Sequence, residues 1–272
     1  MNTTSKLTSR TPRWRLYLIV LCVSQCAAFC WAFNSCAERE QASNGKSWNV
    51  VNARSVKQLA FTSAGHSIRT EWFYTANSAN APTLIILPGS GGIEETGGFF
   101  RDMASSLSSD GINVVIVRYL DRSGLSYASS AQMGVNFGKW LQTVNDGFRF
   151  VQQQPGIDSK RVSFFGHSLG AQLALHTAAS NPEVVSAVDM AGCFVLPTNK
   201  VLRMPPVLIL HGSADRVVPL SRERQLIAVL KRVGGKYQEH IFKNADHSFA
   251  SVSEAELFQI ITRFLKTSSP KS

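Results

Sequence analysis

Beyond residue 36 this sequence has a single cysteine, Cys193. One thiol cannot close an internal disulfide, so the folded domain must rely on its core. A dense lysine and arginine run is also missing. The formal net charge is +10, but Lys6, Arg10, Arg13 and Arg15 lie in an acid-free stretch, residues 1–37. Residues 38–272 hold 24 basic against 18 acidic residues, about +6, spread along the chain. Nucleic acid is therefore not an expected partner, and the surplus reads as a solvated basic surface. No group of His, Cys, Asp and Glu has the spacing of metal ligands, so the expected chemistry uses no metal. There is no internal repeat and no sign of a second domain.

One long apolar stretch is present, from Leu16 to Phe33, behind the basic residues. A basic start, an apolar centre and small residues at the exit read as a secretory signal over residues 1–37. Ser35-Cys36-Ala37 offers a cleavage site, and Cys30-Trp31-Ala32 a second. The expectation is an exported, periplasmic or extracellular protein. The alternative is an uncleaved membrane anchor over residues 16–33, which is near the lower length limit for crossing a bilayer. Phe33-Asn34-Ser35 before Cys36 does not make a lipobox. Cys22, Cys26 and Cys30 recur every four residues and read as small apolar filler.

Residues 38–54 read as a polar tether, 55–266 as one α/β domain and 267–272 as a tail. Two strand-like runs flank Ser63-Ala64-Gly65-His66 and suggest an opening hairpin. Buried strands are expected at 83–87, 114–117, 162–165, 184–190 and 206–210, with a further strand at 237–242. Helices are expected at 99–107, 134–153, 171–179, 221–233 and 253–265. Apolar strands alternating with amphipathic helices imply a mostly parallel sheet covered on both faces. Ligands of such sheets bind beyond the carboxyl ends of the strands.

At one such end stands Gly166-His167-Ser168-Leu169-Gly170, between an apolar strand and a helical pattern. Strand, Gly-x-Ser-x-Gly, helix is the context of a nucleophile elbow. A serine hydroxyl is a poor nucleophile until a base takes its proton, so a histidine and an acid are required. Asp215 follows the strand at 206–210, and His247 follows the strand at 237–242. Loops at three strand ends can converge, which makes Ser168, Asp215 and His247 the candidate catalytic set. Asp246 competes for the acid role, but adjacency to His247 makes the hydrogen bond awkward. Cys193 has no elbow around it. His167 is expected to pack under the loop and His211 to support its strand; His66, His176 and His240 have no constellation.

The oxyanion formed on attack needs preorganised donors. The N–H of Leu169 is one candidate. The second is the N–H of Ser90, with Gly91 the alternative, in Pro88-Gly89-Ser90-Gly91-Gly92. A phosphate loop is a further reading of those glycines, although no Gly-Lys-Ser/Thr is present. Phe99, Phe100, Tyr119, Tyr127, Phe194 and Phe249 are candidates for an acyl pocket or for ordinary core. Arg118 and Arg122 are candidates for attracting an anionic substrate or for bracing loops.

Taken together, the glycine loop, Asp121-Arg122-Ser123-Gly124-Leu125-Ser126, Asp158-Ser159-Lys160-Arg161-Val162, the elbow, and the Asp215 and His247 segments resemble the α/β-hydrolases, in particular their dienelactone-hydrolase-like, serine esterase branch. The resemblance covers about residues 55–266. It implies the α/β-hydrolase fold and a Ser-His-Asp hydrolase, carboxylesterase-like, acting on ester or related acyl bonds of small-molecule substrates without a cofactor. Dienelactone hydrolases proper resemble this chain but use cysteine, so Ser168 points to esterase-like relatives. The short segment between Cys193 and Pro205 leaves little room for a lid, and no large lid domain is expected. Membrane contact is expected only through an uncleaved leader. A serine peptidase or acyltransferase on the same core, and a catalytically silent binding domain, are the alternatives.

Overall fold

The computed structural model describes residues 56–76, 81–194 and 200–269. The leader, the tether and residues 270–272 of the tail lie outside the described residues. So do residues 195–199 of the segment between Cys193 and Pro205. Among the described residues no helix is long and apolar enough to cross a membrane.

Among the described residues eight strands form one sheet in the order β1-β2-β4-β3-β5-β6-β7-β8. They are β1 Lys57–Ser63, β2 His66–Phe73, β3 Thr83–Leu87, β4 Asn113–Val117, β5 Val162–His167, β6 Ala187–Met190, β7 Val207–Gly212 and β8 Tyr237–Phe242. The hairpin β1–β2 is antiparallel and joins β4 antiparallel; every other pairing is parallel. The hairpin turn is Ala64-Gly65, both at positive φ (43° and 81°), which matches the twist of the flanking strands.

Among the described residues five α-helices accompany the sheet: α1 Gly92–Ser109, α2 Ser130–Gln152, α3 Leu169–Ser180, α4 Ser221–Arg232 and α5 Glu254–Ser268, with a 3-10 turn at Tyr119–Ser123. Alternate residues of each strand feed opposite faces, as a period of two requires. Ile85, Val115, Phe164 and Ile209 pack against α2, α3 and α4 through Trp140, Leu173 and Leu226. Leu84, Ile116, Phe165 and Leu208 pack against α1 and α5 through Phe100, Met103 and Ile261. β3, β4 and β7 are buried along their whole length, so their sequences are continuously apolar or nearly so.

Several boundaries differ from the sequence expectation. α1 begins at Gly92 rather than Phe99, because Ile93, Phe100, Met103 and Leu107 form one buried stripe that overrides the helix-weakening Gly97 and Gly98. α2 begins at Ser130, four residues early. Ser129 caps it: its Oγ accepts from Gln132 N at 3.4 Å while Gln132 Oε1 accepts from Ser129 N at 2.8 Å. β6 is shorter than 184–190, since its pairing with β5 and β7 starts only at Ala187. α5 runs on to Ser268, past Leu265.

Candidate active site

The elbow is built by exclusion of side chains. Ser168 has φ 53° and ψ −115°, a conformation strained for a residue with a Cβ. A Cβ on Gly166 would lie 2.3 Å from Gly170 O and 2.4 Å from Ala171 Cα. One on Gly170 would lie 2.0 Å from Leu87 O and 2.5 Å from Pro88 O. Glycine at both positions lets the turn close onto β3, and Ser168 N donates to Met190 O at 2.9 Å to tie it to β6.

His247 comes from the loop after β8 and Asp215 from the loop after β7, and the two loops are laced together. Ala214 N donates to Ala245 O at 2.9 Å, and Asn244 N donates to Ser213 Oγ at 2.9 Å. The fold brings all three predicted side chains into one line. His247 Nε2 is 3.0 Å from Ser168 Oγ, and His247 Nδ1 is 2.8 Å from Asp215 Oδ2. Asp215 Oδ1 accepts from Val217 N and Val218 N, both at 2.8 Å. Burial alone would raise the Asp215 carboxyl, but the His247 bond and charge and the two N–H groups outweigh it and hold it below the usual aspartate range. The carboxylate can therefore only accept, so Nδ1 of His247 donates and Nε2 keeps its lone pair toward the Ser168 hydroxyl. Asp246 is spent elsewhere: its Oδ1 accepts from Ser248 N at 3.0 Å and from Ser248 Oγ at 2.7 Å.

Access differs along the line. The Asp215 side chain is fully buried, while that of His247 is 18% exposed. Ser168 is half-buried, so solvent-borne molecules can reach the hydroxyl.

The two candidate oxyanion donors flank Ser168. Leu169 is the first residue of α3, where an N–H has no intrahelical acceptor. The glycine loop lies against the elbow, since a Cβ on Gly89 would sit 3.5 Å from Ser168 Cβ and 3.0 Å from His167 Nδ1. Ser90 O accepts from Ala128 N at 2.8 Å, which anchors the loop. Two acids, Glu94 and Glu95, occupy the first turn of α1, which disfavours phosphate at that helix end.

For several residues the structure chooses between the roles the sequence left open. Tyr119 lines a small cleft after β4 with Pro88, Gly92 and Leu125, whose lining does not include Ser168. It is buried beneath the glycine loop, and its hydroxyl donates to Pro88 O at 2.8 Å. Burial raises its hydroxyl above the usual tyrosine range, so it stays a donor. Phe100, Phe194 and Phe249 are buried core, Phe99 packs on Phe258, and Tyr127 alone of the six is exposed. Arg118 is committed to Glu94, Asp121 and Glu71, and so braces the loop after β4. Arg122 Nε is buried without a hydrogen-bond partner among the described residues.

Sequence reasoning missed two histidine contacts. His167 Nε2 donates to His247 O at 3.1 Å, and the rings are 5.1 Å apart. Burial, then the charge of His247, pushes His167 down to about 4, so it stays neutral while its neighbour works. His211 Nε2 donates to Val218 O at 2.9 Å, bracing the turn that grips Asp215. Adjacency to the elbow was the one available hint for His167; for His211 it was the strand-end position. Among the described residues no cluster of three or more His, Cys, Asp and Glu is placed to hold a metal ion.

Comparison with known proteins gives a consistent context. The model of the dienelactone hydrolase family matches residues 70–262. Among solved structures, a Klebsiella pneumoniae protein described as a candidate dienelactone hydrolase is 19% identical with a TM-score of 0.68, covering 79% of this chain and 99% of its own. A dienelactone hydrolase-like promiscuous phosphotriesterase from metagenomic libraries is 16% identical with a TM-score of 0.69, over 79% and 99% of the two chains. A thermophilic esterase of Thermogutta terrifontis, solved with butyrate bound, is 16% identical with a TM-score of 0.65, over 80% and 96%. At these identities the likeness is one of fold.

Proposed function

The chain belongs to the dienelactone hydrolase family, and from that premise we propose that it is a serine hydrolase that cleaves the ester bonds of small or accessible substrates through an acyl-enzyme on Ser168. The reading rests on one observation: the His247 ring bridges Ser168 Oγ at 3.0 Å and Asp215 Oδ2 at 2.8 Å.

In this reading His247 Nε2 takes the hydroxyl proton as Ser168 Oγ attacks the acyl carbon. Asp215 holds the ring tautomer and stabilises the imidazolium that forms. The N–H groups of Leu169 and Ser90 receive the oxyanion. His247 then gives its proton to the departing alcohol, and water repeats the sequence to free the acid. Neutral His167 adds no competing positive charge and holds the His247 backbone in place. The exposed edge of His247 and the short β6–β7 connection favour an open site, hence small acyl groups. The leader composition supports an exported protein.

A panel of p-nitrophenyl acetate, butyrate and longer esters tests the proposal. Turnover of the short esters is expected, with Ser168→Ala slower by at least about a thousandfold. A fluorophosphonate probe should label Ser168. Labelling at another residue, or equal turnover by the variant, would reject the assignment.

A further inference from the structure

Behind Asp215 lies a second buried acid that takes no part in the acyl transfer. Glu223, in the first turn of α4, is 2% exposed; neither carboxyl oxygen has a hydrogen-bond partner within 3.5 Å among the described residues, and the Glu239 carboxyl stands as a weaker side-chain hydrogen-bond partner. His211, 1% exposed, lies between it and the active-site acid. His211 Nδ1 is 3.6 Å from Glu223 Oε2, and His211 Nε2 is 3.5 Å from Asp215 Oδ2.

The hydrogen bonding constrains where protons sit. Val218 O can only accept, so His211 Nε2 carries a hydrogen. Nδ1 then faces Glu223, and a proton on the Glu223 carboxyl makes it the donor and Nδ1 the acceptor of that contact. An ionised Glu223 facing a neutral Nδ1 would instead bury an uncompensated charge.

The surroundings act in the same direction. Strand register aligns Asp189 of β6, Ile209 of β7 and Glu239 of β8 across the sheet. His211 follows Ile209 by two residues and so shares its face. Glu223 thus faces Asp189, His211 and Glu239 from the sheet and Arg224 on its own helix, with Asp215 on the far side of His211. Burial first, then Glu239 and Asp189, push the Glu223 carboxyl up to about 8; Arg224 opposes them.

We propose that Glu223 and His211 share one proton as a pair behind Asp215, positioning the turn that holds this acid and, when the proton is lost to solvent, adding a negative charge that strengthens the imidazolium at His247. The inference rests on the hydrolase reading for its effect on rate, but not for the proton itself. Both are positioning residues; neither touches the substrate.

The pair changes from net zero to −1 on losing its proton. Glu223 reaches His247 through His211 and Asp215, by contacts of 3.6, 3.5 and 2.8 Å. A unit charge at a separation on the order of 10 Å, across an effective dielectric between about 20 and 80, favours the transition state roughly two- to fifteenfold. A histidine general base gives one rise of kcat/KM with pH, and the pair should add a second rise of that size in the alkaline range.

Two measurements on the full chain decide it. Infrared spectra of protein carrying 13C-labelled glutamate should show, at pH 7, a carboxylic acid C=O band that is missing in Glu223→Gln and that disappears as the pH is raised into the alkaline range. The pH profile of p-nitrophenyl butyrate hydrolysis should lose its second rise in Glu223→Gln and keep its first. A merely structural Glu223 would lower the rate equally at every pH. An ionised Glu223 at pH 7, or a second rise that survives in the variant, would overturn the proposal. The infrared measurement needs no substrate, so a protein that turned over no ester would fail the hydrolase reading while the band still decided the proton pair.

Discussion

Asp215→Asn separates geometry from charge, because the structure dictates which way the new amide turns. Val217 N and Val218 N both point at the Oδ1 position from 2.8 Å. The amide oxygen must take that place, since an NH2 there would face two donors. The NH2 then occupies the Oδ2 position, 2.8 Å from His247 Nδ1. It can only donate, so Nδ1 must become the acceptor and Nε2 must carry the hydrogen. A protonated Nε2 cannot take the proton of Ser168. The site keeps its shape and loses its base. In a serine protease triad the same substitution costs about 10⁴-fold in kcat, or roughly 5.4 kcal/mol at 1.36 kcal/mol per tenfold. A loss of that order is expected here in kcat for p-nitrophenyl butyrate, with KM within a few-fold of wild type. Fluorophosphonate labelling of Ser168 should slow in parallel. Asp246→Asn is the control, since Asp246 serves only its own turn. An Asp215→Asn loss below about tenfold, or an equal loss in the control, would refute the tautomer argument and with it the role of Asp215.

Gly170→Ala should unfold or insolubilise the protein, because its Cβ would meet the backbone oxygens of Leu87 and Pro88, which cannot turn aside; overpacking of this kind costs about 1–3 kcal/mol or more, read as a fall in Tm. Gly98→Ala is the opposite case, with open space at an exposed position inside α1, and should raise stability by up to about 1 kcal/mol. Burial pushes the Asp189 carboxyl up to about 7 against the bond from Gly192 N. A carboxyl raised in the folded state favours folding below its unfolded value and loses that contribution as pH rises through about 7, so Asp189→Asn should stabilise the protein at pH 8 relative to wild type, by up to about 4 kcal/mol, and make little difference at pH 4. Denaturant unfolding at the two pH values checks this, and an equal effect at both would reject the buried-acid account. Mass spectrometry of the exported protein should find residues 1–37 removed; an intact Met1 would favour the anchor.

Much of this protein is decided within short windows of sequence. The buried strands declared themselves because a strand covered on both faces must be apolar throughout, as in Thr83–Leu87 and Val207–Leu210. The elbow was legible because a tight strand-to-helix turn leaves room only for glycine at Gly166 and Gly170. Asp215 and His247 could be named because each follows a strand, and strand ends in a parallel sheet share one edge. The start of α1 was hidden, since its first turns are rich in glycine and only packing against β4 and α5 makes them helical. Tyr119 stayed open between pocket lining and core because an aromatic residue after a strand carries no mark of what lies above it; the approach of the glycine loop made it a brace. The set around Glu223 was beyond local reading. Asp189, His211, Glu223 and Glu239 are scattered over three strands and a helix, and nothing in their neighbours signals partnership. Strand register and the seating of α4 bring them together, and whether a buried carboxyl there holds its proton depends on charges and solvent exclusion that exist only once the chain has folded.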